Sequence, residues 1–544
     1  LEGGGASDLK AEIDRCSFGC MSSVIESIGF MSITGEDDAF VFPASTASKL
    51  GIECKHFIVG ELLRNWGQSE GNMITFPYEG ADYQALVTPE LSGYNRVIWP
   101  LRLPLKKRSM FKKTIEEHGF RWDQFIQFIK GRVSSPLLIG FPFVATHNHF
   151  VLDRGGKVFK QTAPVIKLPN GTSEEDHLVL LGLLNSSVAC FWGRQTFFPK
   201  GGFADGKWEE RLEWDGTKLK RFPIPSPLEK ASEEDERLLA GYSQVESLAQ
   251  SVDALAQKLS TYLPASILDK LAGNNVKQAL ENAQLEANII RNKMVALQEE
   301  LDWLCYQAYG LLDEALVYEG DLPAVQVGER AFEIKLAREL TENGGSNAWF
   351  TRHDAIQTTE IPEEWPDAYK ALIEKRLAVM ESERFIKLIE KPEYKRRWMS
   401  LEWEKQEQEA LKNWLLAFLE KASFDEQQPG LITCAQLADS INKNEVAKAV
   451  AQRYTGNELF ESQPLVEKLI ADDNLPQMAG GRLKPVALKK FYAWQETWGK
   501  QRQEDAIDAE FGVDQPLSGE DAANEEKVAA YEVAKAKASV KKAE

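Results

Sequence analysis

A proline-rich segment, FPIPSP at residues 222–227, separates two parts of the sequence that have different hydrophobic patterns. Before it, short runs of Val, Ile, Phe and Trp are bounded by Gly and Pro, a pattern typical of β-strands joined by tight turns. After it, apolar residues recur three, four and seven positions apart from Leu238 to Leu259, which indicates a long amphipathic helix. The chain is therefore expected to place a mixed α/β part before a mainly helical part.

The chain of 544 residues is too long for one domain, because single hydrophobic cores stop growing at about 250–300 residues. We predict a multidomain α+β protein in which a mixed α/β domain covers residues 1–228. The later patterns predict an antiparallel helical hairpin that acts as a spacer over residues 229–318, a helical domain over 319–425, a small helical domain over 426–511 and a charged flexible tail over 512–544.

The formal net charge of -19 argues against a protein that coats nucleic acid with its whole surface, but it permits a local basic site. Six cysteines in so long a chain do not indicate a disulfide scaffold. No apolar run of about 18 residues and no amino-terminal signal sequence is visible, so we expect a cytoplasmic protein without a membrane partner.

One segment reverses the overall charge. Between Arg96 and Arg132 there are ten basic and three acidic residues, with aromatic residues such as Phe111 and Phe120 interleaved among them. This pattern predicts nucleic-acid binding through phosphate contacts, and the alternative is a solvated charged face that balances acidic neighbours. The candidate DNA-binding residues of this segment are Lys106, Lys107, Arg108, Lys112 and Lys113.

The stretch DRGGKVFK at residues 153–160 adds cations to the predicted site. We expect it to form a hairpin in which the two glycines let the backbone approach a phosphate. The candidate DNA-binding residues here are Arg154, Lys157 and Lys160.

An apolar helix is predicted for LLGLLNSSVACFW, and the loop after it presents Arg194, Gln195 and Lys200. We expect this loop and the basic segment at residues 106–113 to lie on one side of a cleft against duplex DNA. Phosphate contacts would supply affinity, and Arg194 or Gln195 would read bases in the major groove.

A metal-dependent nuclease is an alternative function. Asp321, Glu333 and Lys335 match a pattern in which carboxylates hold a metal and a lysine polarises water. The surrounding GERAFEIKLAREL favours a helix, where residues two positions apart point about 200° apart. The histidines of THNH, His147 and His149, share one face of a predicted strand without a third ligand nearby. No residue of the chain is therefore assigned to catalysis or to a metal.

Several runs resemble a known family in order and spacing. HFVLDRGGKVFKQTAPVIKLP (149–169) and LLGLLNSSVACFW (180–192) resemble the target-recognition region of large adenine-specific DNA methyltransferases. GERAFEIKLAREL (328–340) and PEYKRRWMSLEWEKQEQEALKNWLL (392–416) are similar to the PglX-type methyltransferases of BREX and DISARM phage-defence systems. The resemblance covers roughly residues 50–505.

The resemblance implies adenine-N6 methylation of double-stranded DNA from S-adenosylmethionine in phage defence. The sequence contains neither the Asn/Asp-Pro-Pro-Tyr/Phe loop that grips a flipped adenine nor the glycine turn of a cofactor site. We therefore expect the DNA-recognition and scaffolding portion downstream of a catalytic domain, which is supplied in cis or in trans, with no cofactor in this chain. Other phage-defence proteins or a phage DNA mimic are further expected partners. The alternative to DNA is an acidic partner protein bound by a helical assembly scaffold.

Overall fold

The structure is a computed structural model that describes residues 4–538 with gaps. The residues outside the description are 1–3, 48–49, 70, 81, 87–93, 95–96, 202–208, 231–234, 272, 274, 346, 399–401, 424–431, 473–484, 512–524 and 539–544. In the described part of the chain, no helix combines the length and the apolar character that crossing a bilayer requires.

The chain folds into two compact units. Unit 1 contains Leu1–Val87, Phe125–Ile267 and Ala279–Gln406, and unit 2 contains Thr88–Gln124, Leu268–Gln278 and Glu407–Glu544. Unit 1 combines small sheets with helices, and unit 2 is mainly helical. The predicted multidomain α+β class is therefore confirmed, and the limits of the five predicted domains stay a prediction.

Two four-stranded sheets form the largest β-structure of unit 1. The first is antiparallel, with the strand order Val151–Asp153, Leu138–Gly140, Val165–Lys167, Ser27–Gly29. The second has the order Lys157–Phe159, Cys54–Ile58, Met73–Thr75, Val41–Phe42, and its first pair is parallel. The smaller sheets join Val144–Ala145, Leu212–Glu213 and Phe198–Pro199; Ser17–Cys20 and Pro223–Pro225; Leu63–Arg64 and Gly67–Gln68; Tyr78–Glu79 and Gln84–Ala85; and Ser32–Ile33 and Gln127–Phe128.

The stretch DRGGKVFK does not form the predicted hairpin. Gly155 and Gly156 turn the chain with φ angles of 83° and 78°. The strand before them, Val151–Asp153, pairs with Leu138–Gly140, whereas the strand after them, Lys157–Phe159, pairs with Cys54–Ile58 of the other sheet. The prediction was wrong because the second strand finds its backbone partners about a hundred residues earlier in the chain, which a local turn pattern does not encode.

Helices cover the sheets of unit 1 and form its later part. Those before the proline-rich segment are Ala6–Arg15, Asp37–Phe40, Ala44–Ala47, Lys130–Val133, Glu174–Asn185, Ser187–Thr196 and Gly216–Leu219. Those after it are Ser243–Ser260, Ala331–Asn343, Ala348–His353, Asp367–Ser382 and Arg384–Ile389. The chain passes between the two units within Pro264–Asp269, Val276–Ala308 and Trp403–Ser423.

The apolar run LLGLLNSSVACFW forms two helices that meet at Ser186. Ser173 caps the first helix and Ser186 caps the second, each through a side-chain oxygen that accepts a hydrogen bond from a backbone amide in the first turn. The predicted apolar face, which includes Leu180, Leu184 and Phe191, is completely buried in the core of unit 1. A helix was predicted here, but the break at Ser186 was not.

Gly182 allows helix Glu174–Asn185 to approach helix Ser243–Ser260 closely. A Cβ atom at Gly182 would lie 3.0 Å from Cγ1 of Val245 and 3.2 Å from Cβ of Ala249. The amphipathic pattern after the proline-rich segment therefore becomes a helix, Ser243–Ser260, that packs on the helices of the mixed α/β part.

The described residues of unit 2 form a small hairpin among its helices. The hairpin pairs Ser109–Met110 with Lys113–Thr114. A capping box between Thr433 and Gln436 begins the helix Cys434–Lys443, which packs against two later helices. The helices of unit 2 include Arg102–Lys106, Cys434–Lys443, Glu445–Thr455, Ser462–Asp472, Pro485–Phe511 and Glu525–Ala538.

Candidate nucleic-acid interface

The basic segment of unit 2 projects a two-residue turn from its small hairpin. Phe111 and Lys112 occupy the turn with φ angles of 49° and 68°. Positive φ at both central residues defines the type I′ turn, whose twist matches that of the two strands. The side chain of Phe111 is 84% exposed at this tip.

Arg108 holds the base of this hairpin. Its guanidinium is buried and donates hydrogen bonds to the carbonyl oxygens of Leu105 at 3.0 Å, Gln124 at 2.8 Å and Trp122. The backbone carbonyl of Arg108 accepts a hydrogen bond from the amide of Ile115 at 3.1 Å. Arg108 therefore supports the hairpin from inside the unit.

Three lysines beside this support face solvent. Lys107, Lys112 and Lys113 are exposed, and the described residues form no ion pair with them. Lys106 lies 3.5 Å from the carboxylate of Glu116. The carboxylate of Glu117 accepts hydrogen bonds from the amide and hydroxyl of Thr114, and these bonds lower its pKa. The two acidic neighbours are thus engaged, the charge of Lys113 further lowers the pKa of Glu117, and the three exposed lysines can still meet an anion.

The predicted cations on either side of the Gly155-Gly156 turn have acidic partners within unit 1. Arg154 contacts the carboxylates of Glu174 at 2.6 Å and Asp253 at 2.7 Å. Two short ion pairs join Lys157 to Asp153 and Lys160 to Asp37. Carboxylates of the protein itself therefore offset much of the positive charge that was expected to attract DNA.

The third predicted group lies at the end of the helix Ser187–Thr196, and the prediction that Arg194 and Gln195 lie in the loop after the helix was wrong. Arg194 and Gln195 are half-buried in its last turn, and Nη2 of Arg194 donates to the carbonyl oxygen of Thr146 at 3.1 Å. The exposed Lys200 lies 3.0 Å from the carboxylate of Glu213. Arg397 is close enough to Arg194 that burial and this neighbouring charge lower the pKa of Arg397 to about 10.

The predicted residues thus belong to both units. Unit 2 carries Lys106, Lys107, Arg108, Lys112 and Lys113, and unit 1 carries Arg154, Lys157, Lys160, Arg194, Gln195 and Lys200. The expectation that they share one side of a cleft stays a prediction.

A buried polar network in unit 1 was missed by the sequence analysis. The guanidinium of Arg396 is buried and donates to the carbonyl oxygens of Asn148 at 3.0 Å and Asn185 at 3.1 Å, and to the amide oxygen of Gln298 at 3.1 Å. The adjacent Lys395 is also buried. Its ammonium contacts the carboxylates of Glu390 at 2.9 Å, Asp302 at 3.0 Å and Glu299 at 3.3 Å.

His147 and His149 belong to this network. Burial and the charge of Arg396 hold the pKa of both imidazoles well below the ordinary value, so both rings are neutral. Nδ1 of His149 accepts hydrogen bonds from the amide of Asn65 and from Arg396, which places the ring proton on Nε2. The two histidines are therefore structural groups. The sequence contains no signal that Lys395 and Arg396 of the KRRW run (residues 395–398) are buried, because consecutive basic residues ordinarily face solvent.

In the trio considered for a nuclease, Asp321 is exposed but Glu333 does not provide a free carboxylate. Glu333 is buried in the helix Ala331–Asn343, and its two oxygens accept hydrogen bonds from the guanidinium of Arg330, the amide of Gly328 and the indole of Trp349. Its oxygens are thus already committed to the fold. Within the described ranges, no group of three or more His, Cys, Asp or Glu residues is placed to hold a metal ion.

The chain is similar to a bacterial adenine-specific methyltransferase over most of its length. "Adenine-specific methyltransferase PglX" of Streptomyces coelicolor is 36% identical over 524 residues, which cover 92% of this chain and 42% of that protein. The matched part is C-terminal, so the chain spans less than half of the length of this relative. The family described as "Domain of unknown function (DUF7008)" matches residues 294–535. The predicted resemblance is therefore confirmed.

Proposed function

We propose, from the relationship of the chain to PglX-type adenine-specific methyltransferases, that it forms the DNA-recognition and scaffolding portion of a site-specific adenine-N6 DNA methyltransferase. The observation that carries this proposal is the 36% identity over 92% of the chain with the C-terminal part of PglX. The catalytic domain acts in cis or in trans, in the cytoplasm and in phage defence of the BREX or DISARM kind.

The methyl donor of the parent enzyme is S-adenosylmethionine. A doubly wound cofactor domain needs several adjacent parallel strands and a glycine turn that leads into a helix. The two four-stranded sheets of unit 1 contain one parallel pair, Lys157–Phe159 with Cys54–Ile58, and are otherwise antiparallel. The described residues therefore do not fit this cofactor, and the proposal assigns it to another part of the enzyme.

The three exposed lysines at the unit 2 hairpin support DNA binding. Lys107, Lys112 and Lys113 lie within seven positions of one another, and the hairpin holds the latter two at its tip. Each lysine that meets a phosphate releases condensed counterions, so binding weakens as salt rises. We therefore assign phosphate contacts first to this hairpin, and then to Lys200 and Arg194 of unit 1.

The test is the salt dependence of duplex binding by the full chain, measured by fluorescence anisotropy. The three phosphate contacts assigned to the hairpin contribute roughly -3 to the slope of log K against log salt, and the double variant Lys112→Ala/Lys113→Ala reduces the magnitude of the slope by about 2. Lys443→Ala removes another exposed lysine of unit 2, which is paired with Asp439, and it leaves the slope unchanged.

Two results would contradict the proposal. One is a flat salt response of the unaltered chain, which favours a scaffold that binds an acidic protein. The other is a slope that falls by the same amount for Lys443→Ala as for the hairpin variant, which shows that the hairpin has no special role.

A further inference from the structure

The turn of the unit 2 hairpin contains two residues that such a turn disfavours. Type I′ turns prefer Asn-Gly, because a side chain at positive φ crowds the neighbouring carbonyl oxygen. Phe111 and Lys112 occupy these positions here, with φ angles of 49° and 68°. The backbone conformation of the turn is therefore locally unfavourable at two adjacent residues. In this conformation the side chains of both residues are exposed to solvent.

The Phe111 ring is largely exposed to solvent. It is 84% exposed, and in the described part of the chain neither a ring nor a cation contacts it. Phe198 of unit 1 provides a contrast. It is 68% exposed, but the ammonium of Lys218 lies 3.3 Å from the centroid of its ring. Phe111 thus leaves a whole aromatic surface in water, where it remains available for stacking.

The base of the hairpin is fixed, so the turn that carries Phe111 is positioned before any partner arrives. Nε2 of His118 lies 2.8 Å from the carbonyl oxygen of Met110, next to the turn. The Arg108 side chain is hydrogen-bonded to three carbonyl oxygens below the hairpin. A two-residue turn on such a base loses little conformational entropy on binding.

The charge around the ring selects the partner. Lys112 follows Phe111 in the turn, Lys113 begins the second strand, and Lys107 is exposed just before the first. Stacked base pairs between two rows of phosphates combine a flat apolar surface with flanking negative charge. DNA-bending proteins insert Phe, Leu or Met between base pairs from such basic surroundings.

We propose that Phe111 is a wedge that inserts between adjacent base pairs of duplex DNA while Lys112 and Lys113 contact the flanking phosphates. This inference rests on the proposed function and adds the part of the duplex that the hairpin contacts. Insertion separates two stacked base pairs and unwinds the helix at that step.

The experiment measures unwinding without requiring a known target sequence. A closed-circular plasmid is relaxed by a type I topoisomerase in the presence of the full chain, and the topoisomers are then separated on a gel. The unaltered chain is expected to lower the mean linking number as more of it binds. Phe111→Ala abolishes this shift when it is added to equal occupancy, and it weakens duplex binding by roughly 5- to 150-fold.

Two variants serve as controls. Phe111→Leu keeps an apolar wedge and retains much of the linking-number shift. Leu103→Ala removes another exposed apolar side chain of unit 2, which is 72% exposed on the short helix before the hairpin, and it leaves the shift unchanged. The thermal unfolding midpoint of Phe111→Ala is expected to match that of the unaltered chain, because the ring contacts little of the protein.

The outcomes separate the inference from the proposed function. Salt-dependent binding without a change in linking number overturns the wedge and leaves DNA recognition standing. An equal shift for Phe111→Ala and the unaltered chain at equal occupancy also overturns it. Absence of salt-dependent duplex binding overturns both, and tight binding to a polyacidic protein that is lost in Lys112→Ala/Lys113→Ala identifies the hairpin as a protein-docking element instead.

Discussion

Lys395 and Lys112 carry the same charge in opposite surroundings. Lys395 is fully buried among three carboxylates, whereas Lys112 stands in an exposed turn at positive φ. A buried ammonium requires close anionic partners because desolvation is costly, and an exposed one stays hydrated until an anion arrives. At the scale of single residues, burial therefore separates the cations that hold the fold from those that can meet DNA.

Gly328 is a second position whose surroundings restrict the residue type, because they leave no room for a side chain. Its φ is 110°, and a Cβ atom there would lie 2.0 Å from the carbonyl oxygen of Ile356. Gly328→Ala must move backbone and adopt a strained φ, so we expect it to lower the free energy of unfolding by roughly 2–5 kcal/mol. Urea unfolding followed by tryptophan fluorescence measures this loss.

Gly344→Ala is the matched control for this substitution. Gly344 also has a positive φ, 66°, but nothing lies within 4 Å of its Cβ position. Only the backbone strain remains, and because the ψ of Gly344 is 178° the expected loss is about 1–3 kcal/mol. Equal losses for the two variants would show that the contact with Ile356 is not a constraint.

At the scale of elements, the buried network joins segments that are distant in the sequence. Asp302 of the helix Val276–Ala308 accepts hydrogen bonds from the amide of Ser187 at 2.7 Å and from its hydroxyl at 2.6 Å. The same carboxylate contacts Lys395 at 3.0 Å. One side chain thus connects the start of the helix Ser187–Thr196, the long helix and the segment that contains Lys395 and Arg396.

Asp302→Ala tests this connection. The substitution leaves the Lys395 ammonium buried with one partner fewer and the Ser187 amide without its acceptor, so we expect a loss of about 3–5 kcal/mol in the free energy of unfolding. Asp439→Ala, which removes an exposed carboxylate paired with Lys443, is expected to cost less than about 1 kcal/mol. Comparable urea midpoints for the two variants would show that the network does not stabilise the fold.

At the scale of the whole molecule, the net negative charge does not show that the predicted DNA-binding cations have different surroundings in the two units. In unit 1, the predicted DNA-binding residues Arg154, Lys157 and Lys160 have carboxylate partners. In unit 2, three lysines at one hairpin remain exposed, Lys107, Lys112 and Lys113. The formal charge of -19 therefore does not describe the surface that a DNA duplex would meet.

The stability of the molecule is expected to depend on pH through its buried histidines. The pKa values of His147 and His149 are lowered from 6.5 in the folded state, so unfolding takes up protons below that pH. Stability is therefore lost as the pH falls below about 6.5, by up to about 1.4 kcal/mol per pH unit for each histidine. Glu299 opposes this trend, because burial raises its pKa from 4.5 to about 7 and its contribution declines as the pH rises between those values.

Urea midpoints measured between pH 7.5 and about pH 5 check this dependence. In the double variant His147→Asn/His149→Asn, an amide oxygen replaces each Nδ1 as a hydrogen-bond acceptor. The urea midpoint of this variant is expected to decline less steeply with falling pH than that of the unaltered chain. His56→Asn replaces an exposed histidine and should follow the unaltered chain. If the urea midpoint of the double variant declined as steeply as that of the unaltered chain, the pH dependence could not be assigned to His147 and His149.

The sequence by itself determined the alternation of β-rich and helical parts, the burial of Leu180, Leu184 and Phe191, and the resemblance to PglX-type methyltransferases. These features depend on local periodicity, turn residues and order along the chain, which a linear pattern records directly. The basic and aromatic composition of the segment around Phe111 was equally visible in the sequence.

Only the tertiary structure decided which cations are neutralised and which are exposed. It placed Lys157–Phe159 beside Cys54–Ile58 instead of the preceding strand, buried Lys395 and Arg396, and set Phe111 at the tip of a turn. The strand pairing and the burial of Lys395 and Arg396 depend on contacts between residues far apart in the chain. Desolvation and ion pairing are properties of such contacts, so neighbouring residues in the sequence do not reveal them.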